Sequence, residues 1–109
     1  MDYWFSLSYG VGPKPGQVVW FQLDLTESDV SYIKDYLHKH GRECGYEGIE
    51  FDNPSLFDKI NDSANYAVLS SINEDREEEG ESTIDFDDVD WAYMSFDFYW
   101  PEELSPEQE

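Results

Sequence analysis

Two stretches near the N-terminus alternate between apolar and other side chains, the pattern of β-strands with one buried face. They span residues 3–9 and 18–25, and the glycine- and proline-rich segment 10–16 between them reads as a loop. A hairpin is the simplest pairing of the two strands. The predicted core-facing side chains are Tyr3, Phe5, Leu7 and Tyr9 in the first strand and Val19, Phe21, Leu23 and Leu25 in the second. Val18 and Trp20 lie on the opposite side, which predicts that part of this second face is covered as well.

A helix is predicted over residues 27–40. Thr26 is suited to the N-cap, with Asp29 three residues later, and Gly41 suits the position just after the helix end. Between them, apolar residues recur at the spacing of one helical face: Val30, Ile33 and Leu37.

A second helical region is predicted from residue 54, because Asn53 is a good cap and Pro54 suits the first helical position. Its predicted buried face holds Leu56, Phe57, Ile60 and Ala64. The residues just before it, 48–51, are a candidate short strand. Residues 66–72 fit a continued helix, a new helix or a strand, and the sequence leaves these alternatives open.

The C-terminal third combines acidic runs with an aromatic strand. Residues 73–82 are acidic and interrupted by Gly80, which predicts a mobile loop. Residues 83–90 are a candidate short strand, and residues 91–100 are the longest strand prediction. Because the latter has aromatic side chains on both faces, it is either a central strand or a strand with one core face and one contact face. Residues 101–109 read as a polar tail.

These elements predict a single acidic α+β domain over residues 1–109. A small mixed or antiparallel sheet, made of the N-terminal hairpin and the C-terminal strand, would pack against two or three helices.

The charge constrains the partner more than it constrains the fold. The net charge is −20, from 26 Asp and Glu against six Lys and Arg, and residues 74–109 hold fifteen of the acids and only one base. Self-repulsion of this size destabilises a compact state, so something other than stability favours it. The aromatic content of 17% argues against a disordered acidic chain. Direct binding of nucleic acid would need a basic surface, so basic proteins are the natural partners.

The sequence predicts a cytoplasmic protein without a membrane segment. Cys44 is the only cysteine, so no intrachain disulfide forms. The N-terminus lacks the basic and apolar regions of a signal peptide, and no apolar run approaches the length of a membrane span.

No reaction is indicated, and we expect a protein that is not an enzyme and uses no cofactor or metal. Neither a nucleophile motif nor a phosphate loop occurs. His38, His40 and Cys44 have no further partners to complete a zinc site, and the cationic residues suit a helix C-terminus without a metal. The acids at 85–90 lack the central Gly and closing Glu of a calcium loop.

The acidic and aromatic residues of the C-terminal third predict a surface that imitates nucleic acid. Carboxylates on a rigid surface can approximate the phosphate array of DNA, while aromatic side chains anchor the contact. The predicted charge contacts are Asp85, Asp87, Asp88 and Asp90, with Glu74, Asp75, Glu77, Glu78, Glu79 and Glu81 weaker because their loop would lose entropy on binding. The predicted anchors are Trp91, Tyr93 and Tyr99.

Several protein-binding functions fit this surface. The first is an inhibitor that blocks a nuclease or another nucleic-acid-binding protein by mimicking DNA or RNA. In size and charge the chain is similar to small acidic bacteriophage proteins that block restriction or CRISPR nucleases, although no motif ties it to one family. The alternatives are an immunity protein for a basic nuclease toxin and an acidic assembly or chaperone-like factor. The aromatic strand is also a candidate surface for a homodimer.

Overall fold

The computed structural model describes residues 2–11, 16–91 and 95–104. In chain order its main elements are β1 (Asp2–Val11), β2 (Val18–Asp24), α1 (Glu27–His40), α2 (Ile49–Asp52), α3 (Pro54–Glu78) and β3 (Ser95–Tyr99), with 3₁₀ turns at Phe86–Asp88 and Glu102–Leu104. The predicted α+β fold, a small sheet with helices, is confirmed.

The sheet is antiparallel, and its strand order is β2-β1-β3. The predicted hairpin forms, with Phe5 opposite Phe21 and Leu7 opposite Val19. The C-terminal strand pairs with β1, with Leu7 opposite Phe98. β1 is therefore the central strand and β3 lies at an edge, so the central-strand alternative for residues 91–100 is wrong.

One face of the sheet is buried under the helices. The side chains at its centre are aromatic: the Phe5 ring lies 5.4 Å from that of Phe21, 5.8 Å from Phe98 and 6.0 Å from Trp100. The helices complete this core with Ile33 and Leu37 from α1, Ile49 from α2, and Leu56, Ile60, Ala64 and Val68 from α3. The side chains that the strand and helix periodicities predict to be buried thus pack together in one core.

The helix starts follow the predicted capping chemistry. The Thr26 hydroxyl accepts a hydrogen bond from the Asp29 amide at 3.1 Å, and the Asp29 carboxylate accepts one from the Thr26 amide at 3.2 Å. At α3, the Asn53 side chain accepts from the Leu56 amide at 3.3 Å. Each bond satisfies a backbone donor that the first helical turn leaves unpaired.

Two local predictions are wrong, and one open alternative is decided. Residues 48–51 do not form a strand, because residues 49–52 make the short helix α2. Residues 66–72 lie within α3, so the continued helix is the alternative that forms. The polar tail does not begin at residue 101: Pro101 is buried, and Leu104 is completely buried in the core beside α1. Residues 105–109 of that predicted tail lie outside the described residues.

Tyr32 on α1 ties the short helix α2 in place, and this bond is expected to make stability pH-dependent. Its hydroxyl donates to Asp52 Oδ2 at 2.6 Å, and partial burial together with this carboxylate raises the pKa of Tyr32 from 10.0 to about 12. Tyr32→Phe should lower the free energy of unfolding by about 1 kcal/mol. A raised pKa in the folded state means that this stabilisation is full below pH 10 and is lost as the pH rises towards about 12. Urea unfolding of both proteins at pH 8 and across this alkaline range measures the difference, and a difference that stays constant with pH would contradict the assignment.

Candidate protein-binding surfaces

The first acidic run lies on α3 and the turn that follows it. α3 extends to Glu78, so the predicted loop over residues 73–82 is wrong for residues 73–78. The half-buried Ile72 packs against the core and anchors this end of the helix. The helix ends through Gly80, which has a positive φ of 77°, with backbone bonds from Gly80 to Glu77 and from Glu81 to Arg76. This is a Schellman ending, and Gly80 was the sequence signal that could have located it.

Arg76 is the only base in residues 74–90, and it holds the turn together. Its Nε donates to the Ser82 carbonyl at 2.7 Å, and a terminal guanidinium nitrogen lies 3.2 Å from Glu81 Oε2. The arginine thus closes the loop after α3 and pairs with a single carboxylate of the run. Arg76 therefore neutralises only a small part of the negative charge around it.

The second acidic run folds back along α3. The Asn73 side chain forms two hydrogen bonds with the backbone of Ile84, at 2.8 and 3.1 Å. Two residues later the Phe86 ring lies 5.8 Å from that of Tyr66, two helical turns nearer the start of α3. The segment is therefore held by contacts at both positions.

The predicted strand over residues 83–90 is wrong, because a 3₁₀ turn forms at its centre. The Asp88 carboxylate accepts a hydrogen bond from the Asp85 amide at 3.1 Å. Asp side chains compete in this way with strand formation by bonding to the nearby backbone. Alternation of Ile84 and Phe86 with acids was too short a pattern to reveal this.

Together, the two runs form a group of ten carboxylates, which we call the acidic array. It covers the C-terminal end of α3 and the segment that folds back along that helix. Its members are Glu74, Asp75, Glu77, Glu78, Glu79, Glu81, Asp85, Asp87, Asp88 and Asp90. All are exposed except Asp75, which is half-buried. Four of the ten lie on the last five residues of α3, which rise about 7.5 Å along the helix axis. That is one carboxylate per about 1.9 Å of axis, or one net negative charge per about 2.5 Å when Arg76 is counted, against one charge per about 1.7 Å of duplex DNA.

The three predicted anchors have different positions. Trp91 is half-buried beside the array, its ring 5.0 Å from that of Phe86 and its indole nitrogen donating to the Phe86 carbonyl at 3.2 Å. The indole N–H of Trp91 is thus already engaged in an intramolecular hydrogen bond. Tyr99 is half-exposed on β3, and Tyr93 lies outside the described residues. The predicted strand over residues 91–100 is wrong at its start, because β3 begins at Ser95 and Trp91 lies in a turn.

The sheet carries a second surface, of which the sequence analysis predicted only Tyr99. The solvent side of the sheet exposes Trp4 (56%), Trp20 (61%), Val18 (46%) and Tyr99 (50%). The expectation that the Val18 and Trp20 side of β2 is partly covered is therefore wrong. For β3, the alternative with one core face and one contact-accessible face agrees with the structure, because Phe96 and Phe98 pack on the core while Asp97 and Tyr99 are exposed.

Comparisons with protein-family models, curated proteins and solved structures gave no match. The functional reading therefore depends on the two surfaces themselves. Of the helices that the structure describes, none is long and apolar enough to cross a membrane.

Few side chains outside these surfaces are arranged for chemistry. Within the described residues, no group of three or more His, Cys, Asp or Glu side chains is placed to hold a metal ion. Cys44 is half-buried, and burial raises the pKa of its thiol, so its reactive thiolate form is disfavoured. A cavity of ≈ 640 Å³ runs beside β3, and its charged lining is Arg42 with Glu43, Glu47 and Asp97, which again gives an excess of negative charge.

The position of the array at a helix C-terminus should reduce stability. The C-terminal end of a helix carries partial negative charge, so Glu77 and Glu78 in the last turn are unfavourable there. We expect Glu77→Gln together with Glu78→Gln to raise the free energy of unfolding by about 0.5–1.5 kcal/mol, measured by urea denaturation at low salt. The matched control is Glu27→Gln in the first turn of α1, which should lower it. Destabilisation by the double variant would contradict this account of the array.

Proposed function

We propose that the protein is an acidic inhibitor that mimics nucleic acid and blocks a basic nucleic-acid-binding protein or nuclease. The observation that carries the proposal is the display of ten carboxylates on a folded scaffold, four of them within the last five residues of α3, which gives a dense negative surface of the kind that DNA phosphates form. Six of these acids were expected in a loop, and four of the six lie on α3 instead. Because Glu74, Asp75, Glu77 and Glu78 lie on a helix, they would lose less entropy on binding.

The electrostatics suit competition with nucleic acid. A cleft that binds phosphates is lined with Lys and Arg, and a surface dense in carboxylates would be steered towards it and would occupy it. The exposed rings of Tyr66 and Phe86, which touch each other beside the array, supply apolar contact area. We place this activity in the cytoplasm and assign it to binding rather than to catalysis. An anti-restriction or anti-CRISPR role belongs to this class of function.

The proposal is tested by capturing partners on immobilised protein from lysates of the native host and eluting them with a salt gradient. We expect a nuclease or other nucleic-acid-binding protein, released by moderate salt and displaced by added duplex DNA or RNA. A partner that stays bound in high salt and ignores nucleic acid would instead indicate an immunity protein for a single toxin. Recovery of no basic partner would overturn the proposal.

A further inference from the structure

The solvent face of the three-stranded sheet is a compact aromatic surface. Ser6 at its centre lies directly opposite Trp20 on β2 and opposite Tyr99 on β3. Trp4 is two residues from Ser6 on the same strand, so it lies diagonally across from Trp20, within reach of a side chain of this size. We call this surface, which also includes Val18, Gln22 and Ser8, the open sheet face.

Large side chains of the open sheet face cover its centre. Ser6 points to the solvent side of the sheet, yet it is only 6% exposed. The neighbouring Trp4, Trp20 and Tyr99 remain at least half-exposed. Three rings therefore shield the centre of the sheet and still present much of their surface outward. Exposed apolar patches of this kind commonly mark interaction sites.

The charged side chains that the described strands place on the open sheet face are all carboxylates. Asp2 lies opposite Asp24 at one end, and Asp97 lies opposite Ser8 towards the other. The segments that form β1, β2 and β3 contain no Lys, Arg or His. A complementary partner must therefore bring cations together with groups that can lie flat on aromatic rings.

We propose that the open sheet face is a docking surface for an arginine-bearing surface of another protein. The guanidinium group is planar, stacks on Trp and Tyr rings, and pairs with carboxylates through two parallel hydrogen bonds. The rings of Trp4, Trp20 and Tyr99 provide the stacking surfaces, and the carboxylates of Asp2 and Asp97 lie on the same face. A lysine ammonium offers a point charge without the planar stacking.

Two other occupants fit this face less well. Bases of single-stranded RNA or DNA stack on aromatic sheet faces, but such sites also carry cations for the phosphates, and these strands have none. A second copy of the chain would bring carboxylates such as Asp2 and Asp97 against carboxylates, with no cation from any of the three strands. Both are treated as outcomes of the test.

The open sheet face is separate from the acidic array, so the proposal for one surface can be disproved without affecting the proposal for the other. The array is built from α3 and the segment after it, whereas the open sheet face is built from β1, β2 and β3. Variants that change one surface leave the side chains of the other unchanged.

Indole N–H signals in ¹⁵N NMR spectra give a residue-specific test. Trp4 and Trp20 are exposed, whereas Trp100 is buried and its indole nitrogen donates to the Cys44 carbonyl at 2.7 Å, so its signal serves as the internal reference. The probes are two capped peptides of alternating glycine with arginine or with lysine, titrated in about 0.15 M NaCl, and the Trp4 and Trp20 signals report on the open sheet face separately from the acidic array. We expect the arginine peptide to shift the Trp4 and Trp20 signals at concentrations at least fivefold lower than the lysine peptide.

Two variants and one control complete the experiment. Trp4→Ala with Trp20→Ala, monitored through the remaining amide signals, should weaken binding of the arginine peptide at least tenfold, and Asp97→Asn should weaken it about threefold. Phe51→Ala, which removes an aromatic ring that is 91% exposed on α2, should have no effect. Equal response to both peptides, shifts caused by a single-stranded oligonucleotide, or shifts caused by raising the protein concentration alone would each overturn the proposal.

Discussion

Replacing Asp85, Asp87, Asp88 and Asp90 together by Asn is expected to weaken binding to a captured nucleic-acid-binding partner by roughly 100-fold at low salt. Exposed charge pairs contribute about 0.2–1 kcal/mol each, so four of them account for an effect of this order. Asn retains a side-chain oxygen that can accept the 3.1 Å hydrogen bond that Asp88 receives from the Asp85 amide, so the local turn should survive. Affinity is measured by titration calorimetry in a salt series, and the slope of affinity against salt should also become shallower.

A matched variant distinguishes the effect of the array on affinity from the effect of net charge alone. Asp35, Glu50, Asp58 and Asp62 are exposed acids on α1, α2 and the first half of α3, and neutralising them changes the net charge by the same amount. This control should lose much less affinity than the array variant. An equal loss in both variants would show that total charge, and not the placement of the array, determines binding. Unchanged affinity in the array variant would overturn the proposed mechanism.

Phe5→Ala is expected to cost about 3–5 kcal/mol of folding free energy, a large share of the roughly 5–15 kcal/mol that stabilises an ordinary domain. The Phe5 side chain is fully buried on the central strand, where its ring meets those of Phe21, Phe98 and Trp100. No helix or loop can move into the space without disturbing the pairing of all three strands. The loss is measured by urea unfolding followed by circular dichroism.

The neighbouring residue is the control for this prediction. Trp4→Ala removes a larger side chain from the same strand, but from its solvent side, and should cost less than about 1 kcal/mol. If Phe5→Ala leaves the protein too unfolded to titrate, Phe5→Leu should give a smaller loss that is still larger than that of Trp4→Ala. Equal losses at positions 4 and 5 would contradict the assignment of the two sheet faces.

Local patterns in the sequence were sufficient for the hairpin and for the starts of the main helices. Alternation at Phe5 and Leu7 has a period of two, which only a half-buried strand satisfies, and Thr26 with Asp29 can satisfy each other's backbone amides without any distant residue. These signals depend only on neighbours along the chain, so they do not require knowledge of the tertiary contacts. The predicted hairpin and the Thr26 cap are therefore both found in the structure.

The length of α3 required the tertiary structure. Residues 66–78 contain good helix formers, but their acids are unfavourable at a helix C-terminus, and local propensity did not decide between helix and loop. Packing of Val68 and Ile72 on the core decides it, together with the hydrogen bond from the Ile84 amide to the Asn73 side chain and the contact of Phe86 with Tyr66. The acidic array is consequently a folded feature and not a loop.

By itself, the sequence determined the α+β class, the core-facing sides of β1, β2 and α1, and the concentration of negative charge after residue 73. The tertiary structure decided which aromatic rings are free to bind. Trp20 and Trp100 have similar local surroundings of aromatic and apolar residues, yet one is exposed and the other is buried. The difference arises because helices cover only one face of the sheet, and burial is set by which elements meet in space, a property that no local pattern contains.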